Sequence, residues 1–245
     1  MAVVGWRARI GVIVPSANTT TEWELARMVP EGVSVHAARA FMPEVRTEEE
    51  KVQAEFAMNE AAVTAAVKVA SVKADVIAWA CTNASFIKGS GYDREIADNI
   101  ARACGVQAFT TSTAVAEACK ALGVKRVAMA TPYADGIAEK EKEFLERGVD
   151  GLRVIGMRNL GIIPTLPKGE LFPGSAYRAA REVNTSEADC IFISCTNWRT
   201  MEIISPLEAD LGKPVITSNQ ATLWFALNAI GIPGSAQFGR LMSVR

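Results

Sequence analysis

The chain has 245 residues, 49% of them hydrophobic and 22% charged, with a formal net charge of −1. That balance suits a globular α/β protein with a large core and excludes a polybasic nucleic-acid or membrane surface. Its five cysteines are an odd number spread along the chain, which argues against a disulfide framework. The first apolar run, 10–14, lies in a buried strand over 9–14 stopped by Pro15. It is too short for a signal-peptide core or a membrane span, so a cytoplasmic location is expected. A helix is expected over 21–28 and a second strand over 33–40. A long helix follows over 47–73, with Thr47 as its cap and Glu50 three residues on. The next buried strand is 75–80, followed by a helix over 93–103 ended by Gly105, a short strand over 107–110, and a helix from Ser112 to Leu122.

The second half begins again. Strand 126–131 is stopped by Pro132. Helix 137–147, strand 152–157, helix 177–185 and strand 189–194 follow, then helix 201–210, strand 214–217 and helix 221–230. Continuous apolar strands between helices predict parallel sheets covered on both faces. Residues 161–174 hold Pro164, Pro167 and Pro173 with several glycines. They form the one long irregular segment, and either an active-site cover or a surface insertion fits it.

The two halves match. Asp75 to Asn83 aligns with Asp189 to Asn197, sharing Asp, Ile, Cys, Thr and Asn, and Cys81 and Cys195 lie 114 positions apart. Pro15 and Pro132 are 117 apart, and Gly105 and Gly212 are 107 apart. Three ordered matches predict duplicated α/β lobes related by a pseudo-twofold axis. The lobes are expected to be 1–113, joined by the C-terminal segment 221–245, and 114–220.

Parallel sheets bind ligands beyond the carboxyl ends of their strands. Each Cys-Thr-Asn follows a predicted strand, so facing lobes would bring Cys81 and Cys195 to one cleft, with Thr82, Asn83, Thr196 and Asn197 as donors. Ser16 and Asn18 after the first strand, and Tyr133 after the fifth, border the same cleft. One of the residues in 16–19 also serves as a helix cap, and Tyr133 reads nearly as well as an ordinary turn residue. Cys104, Cys119 and Cys190 read as core filler. His36, the only histidine, gives no support for a Cys-His pair. The absence of clustered His and Cys argues against zinc, and Pro15 to Thr19 stands where a dinucleotide fingerprint would be. A cofactor-free, metal-free two-thiol mechanism remains. A non-catalytic sensor of small dicarboxylates is the alternative from another class; it needs no matched thiols. Alanine-rich helices are compatible with a homodimer or higher homo-oligomer.

These segments together, Val14 to Thr19, Cys81 to Asn83, Thr131 to Tyr133, Ser194 to Asn197 and Gly239 to Leu241, resemble the maleate cis–trans isomerase and arylmalonate decarboxylase branch of the Asp/Glu racemase superfamily. The resemblance covers nearly the whole chain. It implies two Rossmann-like lobes, an active site between them, no cofactor and a small dicarboxylate substrate. It implies that Cys81 is a nucleophile and Cys195 a proton donor, with Asn18 and Tyr133 touching substrate. Decarboxylases of the branch carry glycine at the position of Cys81, which favours isomerisation of maleate to fumarate. Thr-Asn after each cysteine is closer to the amino-acid racemases, the runner-up, with arylmalonate-type decarboxylation behind.

Overall fold

A computed structural model describes residues 3–245; residues 1 and 2 of the expected first lobe lie outside it. Among the described residues no helix is long and apolar enough to cross a membrane. The first half holds strands β1 (Ala8–Pro15), β2 (Val33–Ala40), β3 (Val76–Trp79) and β4 (Ala108–Thr110), ordered β2-β1-β3-β4. The second holds β5 (Arg126–Thr131), β6 (Arg153–Asn159), β7 (Cys190–Ile193) and β8 (Val215–Thr217), ordered β6-β5-β7-β8. Every pairing is parallel. The two sheets therefore share one strand order, as the internal repeat predicts.

The repeated aspartates explain part of the match. Asp75 accepts the Arg9 N–H at 2.8 Å, and Asp189 accepts the Arg126 N–H at the same distance. Each fixes the start of a central strand against its neighbour. Both central pairs are almost wholly buried. On β1, Ile10, Val12 and Val14 join the core that runs on to β5 and β7, while Ile13 points the other way, with Ile77 and Trp79, toward the long helix. That is the two-residue period of a strand buried on both faces.

The helices are α1 (Thr21–Met28), α2 (Glu48–Ala70), α3 (Thr82–Phe86), α4 (Tyr92–Cys104), α5 (Thr111–Ala121), α6 (Asp135–Gly148), α7 (Leu166–Gly169), α8 (Pro173–Val183), α9 (Ile204–Leu211) and α10 (Ser218–Ala229). The expected cap of α2 is present in full: Glu50 N–H donates to Thr47 Oγ1 at 3.1 Å, and the Glu50 carboxylate accepts the Thr47 N–H. Six starts differ from expectation, three of them (α4, α6 and α9) by one to three residues. Helix α5 begins one residue earlier because Thr110 caps it. Helix α8 begins at Pro173, a residue pre-set for the first turn. Helix α10 begins at Ser218, because Thr217 and Gln220 form a second capping box. It touches α1, α5 and β3 on one side and β8 on the other, and so lies along the seam of the two sheets.

Candidate active site

Strands β1, β3, β5 and β7 all end at one small cavity of about 20 Å³, room for a single water. Pro15 and Asn18 follow β1, Cys81 to Asn83 follow β3, Tyr133 follows β5, and Cys195 to Asn197 follow β7. The two cysteines thus line the same space from different sheets. Eight of the nine residues expected from the sequence come together. Ser16 does not line the cavity: its Oγ accepts the Met42 N–H at 2.9 Å and fixes the chain after β2.

The two Cys-Thr-Asn segments differ in backbone. Cys81 is extended and opens helix α3. Cys195 has φ 92°, the left-handed region that non-glycine residues rarely adopt. Ser218 ties them together: its Oγ accepts the Thr82 hydroxyl and the Cys195 N–H, each at 3.0 Å. Thr196 Oγ1 donates to Ala80 O at 3.1 Å. These bonds span the seam and hold both thiols at fixed positions.

The asparagines do several jobs. Asn18 Oδ1 accepts the N–H groups of Thr20 and Thr21, both at 2.9 Å, which settles the start of α1. Its Nδ2 donates to Thr196 Oγ1 at 3.3 Å. Asn197 accepts the Thr19 N–H and donates to Thr165 O, each at 2.8 Å, so it staples the segment after β6 over the site. Gly169 lies against Asn197: a β-carbon there would come within 2.8 Å of Oδ1. Asn83 Nδ2 donates to Glu55 at 3.1 Å, and its buried Oδ1 has no partner among the described residues.

Lys51, Glu55, Thr165 and Lys168 also line the cavity, and the sequence reading did not single them out. Lys51 and Glu55 form a buried ion pair of 2.8 Å, one turn apart on α2. Glu55 Oε2 faces the Cys81 sulfur at 3.7 Å. Lys168, from α7, donates to the carbonyls of Ile163 and Pro164, each at 2.8 Å. Its ammonium lies 5.8 Å from the centre of the Tyr133 ring. The signal for the α2 pair was a spacing of four. Lys51, Glu55 and Asn59 continue the buried stripe of Ala62, Ala66 and Val69, so their charges point inward.

Burial raises the Cys81 thiol well above its ordinary range, and the Glu55 carboxylate adds to the rise while Lys51 opposes it. Burial also raises Cys195, with Lys168 as the largest opposing influence. Burial and the Cys195 sulfur raise Tyr133, so its phenol stays a donor. Both sulfurs rest as thiols. Cys119 and Cys190 are raised by burial among apolar neighbours, Cys119 to about 12, as core filler should be. Among the described residues no group of His, Cys, Asp and Glu could hold a metal ion.

Behind Cys195, Ser194 donates to Glu141 Oε1 at 2.6 Å, and Glu141 Oε2 is buried without a partner among the described residues. Burial raises Glu141 to about 8. A carboxyl raised on folding binds its proton more tightly in the native state. Its stabilisation is complete below about 4.5 and is lost as pH rises to about 8. Glu24 has the same sign, with its window ending at about 7. Glu141→Gln should therefore flatten the stability curve most clearly between pH about 7 and about 8, by roughly 1 kcal/mol, read by denaturant melts. An unchanged slope there would place the Glu141 proton elsewhere.

A family model for arylmalonate decarboxylase matches residues 10–242. The maleate isomerase of Pseudomonas putida is 30% identical over 255 residues, covering 96% of this chain and 97% of that protein. The arylmalonate decarboxylase of Bordetella bronchiseptica is 30% identical over 241 residues, with 95% of each chain covered. Among solved structures, a cysteine-to-serine mutant of the Nocardia farcinica maleate cis-trans isomerase, with a covalently bound succinylcysteine intermediate, superposes with a TM-score of 0.88 at 26% identity. It covers 96% of this chain and 98% of that one. Because the match runs through both sheets and nearly to the C-terminus, the whole chain, not one half of it, belongs to the arylmalonate decarboxylase family.

Proposed function

We propose that this chain is a cofactor-independent isomerase that converts maleate to fumarate. The observation that carries the reading is the pair of thiols, Cys81 and Cys195, set into one cavity by equivalent strands of two sheets. Maleate isomerases are 27–30% identical to this chain over nine-tenths or more of its length. A double mutant of arylmalonate decarboxylase, with one glycine changed to cysteine and one cysteine changed to serine, superposes at TM-score 0.86, whereas this chain carries both Cys81 and Cys195 in its own sequence.

In the proposed reaction Cys81 passes its proton to the Glu55 carboxylate 3.7 Å away as substrate enters and recovers it when product leaves, and its sulfur adds to one alkene carbon. The electron pair of the double bond moves into the neighbouring carboxylate as an enediolate. The second amide N–H of Asn18 and of Asn83, together with the Tyr133 phenol, supplies donors to the carboxylates from side chains whose positions are already fixed by the first N–H of each amide; each such donor contributes on the order of 2.7–4 kcal/mol to the transition state. The carbon–carbon bond is now single and rotates. Cys195 gives a proton to the second carbon and takes it back, and elimination of Cys81 releases fumarate. A four-carbon dicarboxylate is larger than the cavity, so the segment that carries Thr165 and Lys168 must lift to admit it. A groove of about 450 Å³ lies on its outer side, between Ala17, Met42 to Glu44 and Pro164 to Pro167.

We further take the reaction to run at the seam of two lobes, 1–113 with 221–245 and 114–220. A reducing cytoplasm suits a chain whose cysteines are all free. Proton NMR in heavy water tests the whole reading. Purified protein should convert maleate to fumarate and leave aspartate, glutamate and arylmalonate unchanged. Deuterium at the α-carbon of an amino acid would identify a racemase, and loss of carbon dioxide from an arylmalonate would identify a decarboxylase. Either result without maleate turnover sinks the proposal.

A further inference from the structure

Lys168 is a buried cation without a counter-charge. Its side chain is 2% exposed, and it takes part in no ion pair among the described residues. The carboxylate on the cavity wall, Glu55, is already committed to Lys51 at 2.8 Å and to Asn83 at 3.1 Å. Beside that committed carboxylate, Lys168 faces a second ammonium, Lys51, and two thiols, Cys81 and Cys195, with the Tyr133 ring beneath it. Two backbone carbonyls of its own segment take two of its three protons. A buried charge that is not paired is costly and persists where something else compensates it.

We propose that Lys168 is a substrate-binding residue: the loop-borne counter-charge for one carboxylate of a dicarboxylate substrate, and a determinant of the enzyme's preference for a dianion. The proposal deepens the reading above and rests on it for the substrate class. Lys51 and Lys168 reach the cavity from two elements, one from α2 and one from the segment after β6, and Lys51 Nζ also donates to Thr165 Oγ1 of that segment at 3.0 Å. With Glu55 they leave an excess of one positive charge, which an anion arriving in the cavity neutralises. Because Lys168 bonds the carbonyls of Ile163 and Pro164, its attraction to the anion is transmitted to the segment that must close. Substrate therefore draws its own cover down.

The groups facing Lys168 set a pH limit. Burial first and Lys51 second lower it, Cys195, Glu55 and Cys81 act in the opposite sense, and the balance is about 8. Lys168 is mostly protonated at neutral pH and loses its charge, and with it the anchor, as pH passes about 8.

The test is equilibrium binding of succinate, a saturated dicarboxylate that cannot isomerise, by calorimetry. Since it requires no turnover, its result stands apart from whether maleate is the substrate. Lys168→Met keeps the length of the side chain and removes the charge. It should weaken succinate about 10- to 100-fold, erase the loss of affinity above pH about 8, and leave binding of the monoanion butyrate within about threefold. Lys168→Arg should restore most of the affinity and carry no such alkaline limb. The Met variant should unfold at the same temperature as the parent or higher, since a buried charge is gone. Succinate bound equally well by Lys168→Met, or with the alkaline limb intact, overturns the anchor. So does a parent protein that turns over maleate but binds no succinate.

Discussion

Cys81→Ser should lower maleate turnover by about 10⁴-fold or more, the scale seen when a nucleophile is removed from a catalytic unit. The substitution replaces one atom and leaves the fold alone. Ser85 and Thr82 keep their bonds, which run to the Cys81 carbonyl and to Ser218 rather than to the sulfur. What changes is chemistry. A thiol, even one raised by burial and by Glu55, still ionises far more readily than a hydroxyl in the same place, and sulfur adds to an activated alkene where oxygen does not. Binding should survive, because none of the expected carboxylate donors is touched. Fumarate formation followed by NMR, with succinate binding as control, checks both halves. Turnover within tenfold of the parent would remove Cys81 from the role of nucleophile.

Much of this site was legible from the chain itself. The duplicated Asp…Cys-Thr-Asn is read directly as two strand ends, and both thiols line one cavity. The apolar runs became strands because burial on both faces leaves no other pattern for them. What the sequence did not mark was the electrostatics. Lys51 and Glu55 look like a solvent-facing helical pair, and such pairs are ordinary on surfaces. Only the stripe they share with Ala62, Ala66 and Val69 shows that they point inward, and that stripe emerges once α2 is laid along β1. Lys168 stands in a proline-rich segment with no periodicity, where nothing local tells a buried lysine from an exposed one. Ser16 was misplaced for a related reason. Its neighbours Pro15 and Asn18 do line the cavity, but its own hydroxyl is taken by the Met42 N–H.

The repeat also explains why the two thiols need not behave alike. Equivalent strands deliver them, yet Cys81 leads into α3 while Cys195 is held with φ 92° by the Ser218 hydroxyl on its N–H. The charges around them differ as well. Cys81 has the Glu55 carboxylate within 3.7 Å, whereas the main opposing influence on Cys195 is the cation of Lys168. A duplicated scaffold with unlike surroundings can divide one reaction between two sulfurs.

Cys195→Ala tests that division. With no proton donor on the far side of the substrate, turnover should fall about 10²- to 10⁴-fold, the usual contribution of a positioned acid or base. Addition by Cys81 does not need Cys195, so a covalent adduct of one substrate should build up on Cys81 and appear in the intact mass of the protein. A succinylcysteine has been seen in a cysteine-to-serine variant of the Nocardia farcinica isomerase, so such a species is stable enough to observe in this family. The Ser218 hydroxyl still receives the backbone N–H at position 195, and the turn with positive φ should persist because its bond is to backbone. The two variants must therefore differ in kind: a dead enzyme without adduct for Cys81→Ser, and a slow enzyme with adduct for Cys195→Ala. An adduct on Cys195 in the Cys81→Ser protein would reverse the assignment, and no adduct in either would rule out covalent addition as the route of isomerisation.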